Sequence, residues 1–164
     1  MPQLVVLSLG LAAAVVTDVR TRRIPNWLTG AIAAAGFGLA FGGGTVTPLR
    51  AALGLLVGLV LMMPGHVIGA TGAGDVKLMA AIGAVIGPDM ALRAFLYSAV
   101  AGGVLAIAVA LRRGVLASTL HDTSRLVTAP GEARTVIESG SRANRFAYGP
   151  AIAVGTILSV VVTL

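Results

Sequence analysis

Cysteine is absent from this chain. Disulfides, thiol nucleophiles and thiolate metal sites are therefore excluded. Only two histidines are present, His66 and His121. They are too few for a zinc site, so neither a metal nor another cofactor is expected. Charge is also scarce: 11% of residues are Asp, Glu, Lys or Arg, against about 25% in ordinary soluble domains. Aromatic residues make up 4%. The scarcest group is the acids, six in 164 residues.

What is plentiful is apolar surface. Hydrophobic residues make up 57% of the chain and the mean hydropathy is +0.95. A chain this apolar cannot cover one water-soluble core with polar side chains, so its solvent is lipid. A membrane-spanning helix takes about 20 mainly apolar residues. The length therefore holds about six spans and one domain, residues 1–164. The net charge of +6 would suggest nucleic acid in a soluble protein. Here the basic residues lie between hydrophobic segments, and membrane topology explains them better.

The expected architecture is an all-α, polytopic membrane helix bundle. Spans are predicted over residues 4–16, 27–41, 49–68, 75–86, 90–111 and 146–164. The fourth is short for a full crossing, which implies tilt, extension into the preceding loop or partial re-entry. No Lys or Arg precedes the first span, whereas Arg20, Arg22 and Arg23 follow it. That pattern lacks the basic n-region of a signal peptide and predicts a retained helix with its N-terminus outside. Pro25 fits the first turn of the second helix, and Trp27 fits an interfacial anchor. With this layout ten of the twelve basic residues fall on the cytoplasmic side, and only Arg50 and Arg93 fall outside. Asp18 and Asp75 fall on the same, cytoplasmic, side.

Several of the 22 glycines stand four apart: Gly54 with Gly58, Gly65 with Gly69, Gly83 with Gly87. Such spacing lets helices approach closely, and packing within the bundle explains it better than a dimer face. The single long polar stretch, 112–145, is expected to be a cytoplasmic loop. Within it Val115, Leu116, Leu120, Leu126 and Val127 fit one face of an interfacial helix. A loop broken at Pro130-Gly131 fits equally well.

Ionisable groups beside a bilayer core are costly, so each is a candidate for function. Asp75 stands in Gly72-Ala73-Gly74-Asp75-Val76-Lys77. Alone it reads equally as a helix N-cap and as a carboxylate held at the rim by a glycine turn. Asp18 alone reads better as a solvated residue balancing Arg20, Arg22 and Arg23. The pair says more than either. Two neighbouring carboxylates share a proton, because their repulsion keeps one of them neutral. The ionised member then activates water while the protonated member polarises a carbonyl. That is the chemistry of peptide hydrolysis.

The combination resembles the prepilin peptidases, the membrane aspartyl proteases with a GxGD motif. It is most similar to the short members that serve tight-adherence (Flp-type) pili. Asp18 with Arg22-Arg23-Ile24-Pro25-Asn26 resembles the first-aspartate loop, and Gly72 to Lys77 the GxGD segment. Ala147-Tyr148-Gly149-Pro150 resembles the segment opening the last helix, with Ala147 where proline is common. The resemblance implies catalytic roles for Asp18 and Asp75. It implies loop-shaping roles for Gly72, Gly74, Pro25, Asn26, Gly149 and Pro150. Lys77, Arg22 and Arg23 would tune charge or meet substrate, though Lys77 is equally a positive-inside anchor. Tyr148 with its two neighbours would shape the rim.

Larger relatives carry a cysteine-containing segment and methylate the new N-terminus. This chain has no such segment, so a peptidase alone is expected. The implied substrate is a prepilin or pseudopilin precursor in the lipid bilayer, cut on the cytoplasmic face before its hydrophobic helix. The basic rim would attract an acidic residue early in the mature pilin. The nearest alternative is an archaeal-type preflagellin peptidase. Presenilin-like proteases share GxGD but place the first aspartate within a transmembrane helix in a Tyr-Asp pair, whereas Asp18 follows Thr17 and precedes a basic loop. Two further alternatives lie outside the enzymes of this kind: an ion-coupled transporter using both aspartates as a relay, and a non-catalytic subunit of a secretion assembly.

Overall fold

The structure is a computed structural model that describes residues 2–67, 69–112 and 148–162. Among the described residues there are six α-helices and no strand. They are α1 (Pro2–Thr21), α2 (Asn26–Phe41), α3 (Pro48–Val67), α4 (Ala73–Ile86), α5 (Pro88–Arg112) and α6 (Gly149–Val161). Three segments are long and apolar enough to cross a membrane: Pro2–Thr21, Pro48–Val67 and Pro88–Val109. Helices α2 and α6 are shorter but also apolar.

The pattern of burial explains the arrangement. Helices α1, α2, α3 and α5 each bury one narrow stripe and expose apolar side chains elsewhere. On α3 the stripe is Ala51, Gly54, Gly58 and Met62. On α2 it is Leu28, Thr29, Ile32, Gly36 and Ala40. Leu9, Trp27, Leu49, Val100 and Leu111 are among the large apolar side chains that face outward. A surface of that kind belongs in lipid.

Helix α4 is different. Asp75, Val76 and every residue from Leu78 to Ile86 are buried, and α4 touches all five other helices. A helix that is apolar all round is one enclosed by its neighbours. At 1.5 Å per residue its 14 residues span about 21 Å, short of a hydrocarbon core of about 30 Å. Because protein rather than lipid surrounds it, its length need not match the bilayer.

Glycine sets how close α3 and α4 come. A methyl group on Gly54 would run into the Gly83 carbonyl, and one on Gly58 into the backbone of Met79 and Ala80. Here the GxxxG spacing serves packing inside the bundle. At the end of the bundle opposite Asp75, Thr45 donates to Gln3 at 2.7 Å and Arg50 pairs with Asp89.

Three expectations need correction. The first span is a longer helix, Pro2–Thr21, so Asp18 lies within it and not in a loop. Pro25 is the N-cap of α2, with φ −64° and ψ 141°, and not a first-turn residue. The last helix begins at Gly149. The proposed interfacial helix at 115–127 lies outside the described residues.

The close seam makes a prediction. Gly54→Ala should lower the thermal midpoint in detergent, by the about 1–3 kcal/mol typical of overpacking or more. Gly30→Ala on α2, where a methyl group meets nothing within 4 Å, should leave the midpoint unchanged or raise it. Equal midpoints for the two variants would show that the seam is slack.

Candidate active site

Asp18 ends the buried stripe of α1. Leu7, Leu11, Ala14 and Asp18 recur at spacings of four, three and four, and all are buried. The helix thus turns the carboxylate inward, where it is only 5% exposed. Such a group must have a donor, and the donor comes from the far end of the chain. The backbone N–H of Gly149 donates to Asp18 Oδ2 at 2.8 Å. Residue 149 has to be glycine here, because a Cβ would sit 2.7 Å from that same oxygen.

Asp75 stands at the third position of α4 and is 8% exposed. Gly72, and not Asp75, is the N-cap. The Asp75 carboxylate reaches back to accept the Gly72 N–H at 2.9 Å, the half of a capping box available to a glycine N-cap. The helix dipole favours a negative charge at this place.

Both carboxylates line one cleft of about 360 Å³, walled by Asp18, Arg22, Arg23, Ile24, Pro25, Asn26 and Gly72 to Asp75. The α1–α2 connection forms one wall and the α3–α4 turn the other. They meet closely at Gly74, where a Cβ would lie 3.2 Å from the Cβ of Ile24. A second tie is outside the cleft: Lys77 Nζ donates to Asn26 Oδ1 at 2.9 Å on the surface. Lys77 does not line the cleft. Pro25 accepts the Leu28 N–H at 3.1 Å and so opens α2 beside the aspartates.

Arg22 carries a backbone feature invisible in the sequence. Its φ is +52°, the one positive value outside glycine among the described residues. Its N–H donates to the Asp18 carbonyl at 2.8 Å. Arg22 therefore closes α1 as a left-handed cap, a place usually taken by glycine. The reversal swings Arg22, Arg23 and Ile24 back over the cleft.

Tyr148 ties the start of α6 to α5. It is half-buried, its hydroxyl donates to the Ser98 carbonyl on α5 at 3.1 Å, and it directly precedes the amide that holds Asp18. Burial first, and then the negative charge of Asp75, raise its phenol above the ordinary tyrosine value. Pro150 occupies the first turn of α6, where a missing N–H costs nothing.

The cleft thus gathers Asp18, Asp75, Gly72, Gly74, Pro25, Asn26, Arg22 and Arg23, with Gly149 against Asp18 and Pro150 next to it in the first turn of α6. Sequence reasoning missed Ile24 as a wall and Gly102 as the seat of Tyr148. An apolar residue inside a basic loop, and a Gly102-Gly103 pair inside α5, were the available signals.

Comparison with known proteins gives a family. The chain matches the Type IV leader peptidase family over residues 5–107, a stretch that takes in both aspartates. It belongs to that family, and so is a membrane peptidase. Tyr148 and the rest of α6 lie beyond the matched stretch. No curated protein and no solved structure matches the chain.

The cap at Arg22 is testable by unfolding. Arg22→Gly should raise the thermal midpoint by relieving about 1–2 kcal/mol of left-handed strain. Arg22→Val should lower it. A midpoint that falls equally in both would mean that the guanidinium, not the turn, supports the fold.

Proposed function

We propose that the protein is an aspartic endopeptidase that removes the short leader of a Flp-type prepilin at the cytoplasmic face of the cell membrane. The observation that carries the reading is that two buried carboxylates, from α1 and α4, line a single cleft. Family membership supplies the reaction class.

In the proposed reaction one aspartate is ionised and the other protonated, as mutual repulsion demands. The ionised carboxylate takes a proton from water as its oxygen attacks the scissile carbonyl carbon. The protonated partner gives its proton to the carbonyl oxygen, forming a tetrahedral diol. Collapse of the diol breaks the C–N bond, and a proton passes from the pair to the leaving amine. The backbone bonds from Gly149 and Gly72 fix one oxygen of each carboxylate, so little reorganisation is needed during the reaction.

The rest of the site is consistent with this use. Arg22 and Arg23 line the cleft and are suited to an acidic residue near the start of the mature pilin. The cleft opens between loops, where an unwound leader can enter; an intact helix hides its carbonyls in its own hydrogen bonds. The basic residues beside the cleft favour a cytoplasmic orientation by the positive-inside rule, within a proposed bundle of six spans. A proton relay across the membrane is disfavoured, because the path beyond Asp75 along α4 is a run of buried apolar residues from Leu78 to Ile86.

The test is co-expression with a Flp-type prepilin, with products separated by mobility and identified by N-terminal sequencing. Asp18→Asn and Asp75→Asn should each slow leader removal by about 10²–10⁴-fold, the usual contribution of a general acid or base, while both variants still insert. Normal trimming by either variant would sink the dyad mechanism.

A further inference from the structure

We propose that Tyr148 and Gly102 form a lock that positions the dyad: α5 sets Asp18 by seating the Tyr148 ring in a notch at Gly102. The proposal rests on the peptidase reading for its assay. Its structural content concerns how the site is held together.

The notch is real space made by a missing side chain. Gly102 is buried on the α5 stripe that also holds Ala91, Ala94 and Ser98. A Cβ there would strike the Tyr148 ring, lying 2.8 Å from Oη and 2.9 Å from Cζ. One turn earlier, the Ser98 carbonyl receives the tyrosine hydroxyl. Ring and hydroxyl are thus both referred to α5, one to a hollow and one to a hydrogen bond. Further along, a Cβ on Gly155 of α6 would lie 2.6 Å from the Cα of Ser98. The α5–α6 seam is therefore close at two levels.

The lock then acts on the chemistry through one peptide unit. Gly149 follows Tyr148, and its N–H is the donor to Asp18 Oδ2. Any shift of the ring moves that amide. Asp18 would lose its donor, and its carboxylate would leave the place it holds in the cleft. Tyr148 and Gly102 are accordingly positioning residues and not catalytic ones.

The experiment is a double-mutant cycle on leader cleavage in membranes, with kcat and KM measured for Gly102→Ala, Tyr148→Ala, the pair, Tyr148→Phe and Gly103→Ala. Each of the first two should lower kcat by about 10²-fold, the cost of a small misplacement of reacting groups, with KM unchanged. The double variant should be no slower than Tyr148→Ala, because the added methyl no longer meets a ring. Tyr148→Phe keeps the ring in the notch and should recover most of the rate. Gly103→Ala, where a methyl meets nothing within 4 Å, should match wild type. Multiplicative losses in the double variant, a raised KM with normal kcat, or normal rates in both singles would overturn the lock. If Gly102→Ala does not accumulate, Tyr148→Ala against Tyr148→Phe still decides, since neither adds atoms. Asp18→Asn in the same assay tests the dyad separately: its retained activity would reject the dyad and leave the 102–148 coupling to be judged from its own four rates.

Discussion

A hydrogen bond joins the two ends of this chain. The amide of Gly149, at the start of the last helix, holds a carboxylate on the first helix, 131 residues away in sequence. The need for it is physical. A buried acceptor left without a donor costs about 1–3 kcal/mol, and more when it is charged. Helix α1 cannot meet that need itself, because its C-terminal end presents carbonyls rather than free N–H groups. A second helix must bring its N-terminus to the same point. The position of α6, the glycine at 149 and the seat for Tyr148 on α5 all follow from that need.

Helix α4 supplies the other half of the site under a different constraint. It is enclosed by five helices, so its side chains are set by packing and its start by the turn at Gly72. A short helix sealed inside a bundle makes a rigid mount for Asp75. Glycines let α3 lie against it almost backbone to backbone, which leaves little room for α4 to tilt. Rigid mounting of both carboxylates is what a shared-proton mechanism requires, since the separation of the pair decides how strongly one charge suppresses the other.

Much of this was legible in the residues, and the illegible parts have identifiable causes. Helix positions followed from apolar runs broken at Gly42-Gly43-Gly44 and Gly87-Pro88. The expectation that Asp18 and Asp75 stand on the same side came from counting spans. The helical setting of Asp18 was missed because the basic residues after it look like a loop. Its spacing from Leu7, Leu11 and Ala14 carried the contrary signal, a stripe with a carboxylate as its last member. The N-cap assignment slipped by three residues because an aspartate and a glycine compete for that place, and the capping box lets the aspartate serve from inside the helix. The left-handed turn at Arg22 had no sequence signal, since glycine is the usual residue there and arginine is not. Gly102 was hidden among many glycines; only the ring that fills its hollow gives it meaning.

The central claim is that Asp18 and Asp75 share one cleft in the folded protein. The chain has no cysteine, so the claim can be measured without regard to activity. Cysteines placed by Asp18→Cys and Asp75→Cys, together in native membranes, should be joined by a short bifunctional maleimide, giving a protein that carries an internal link after digestion between the two sites. If each single variant reacts with a monofunctional maleimide while the double variant is never linked, the two positions do not face each other and the account is wrong.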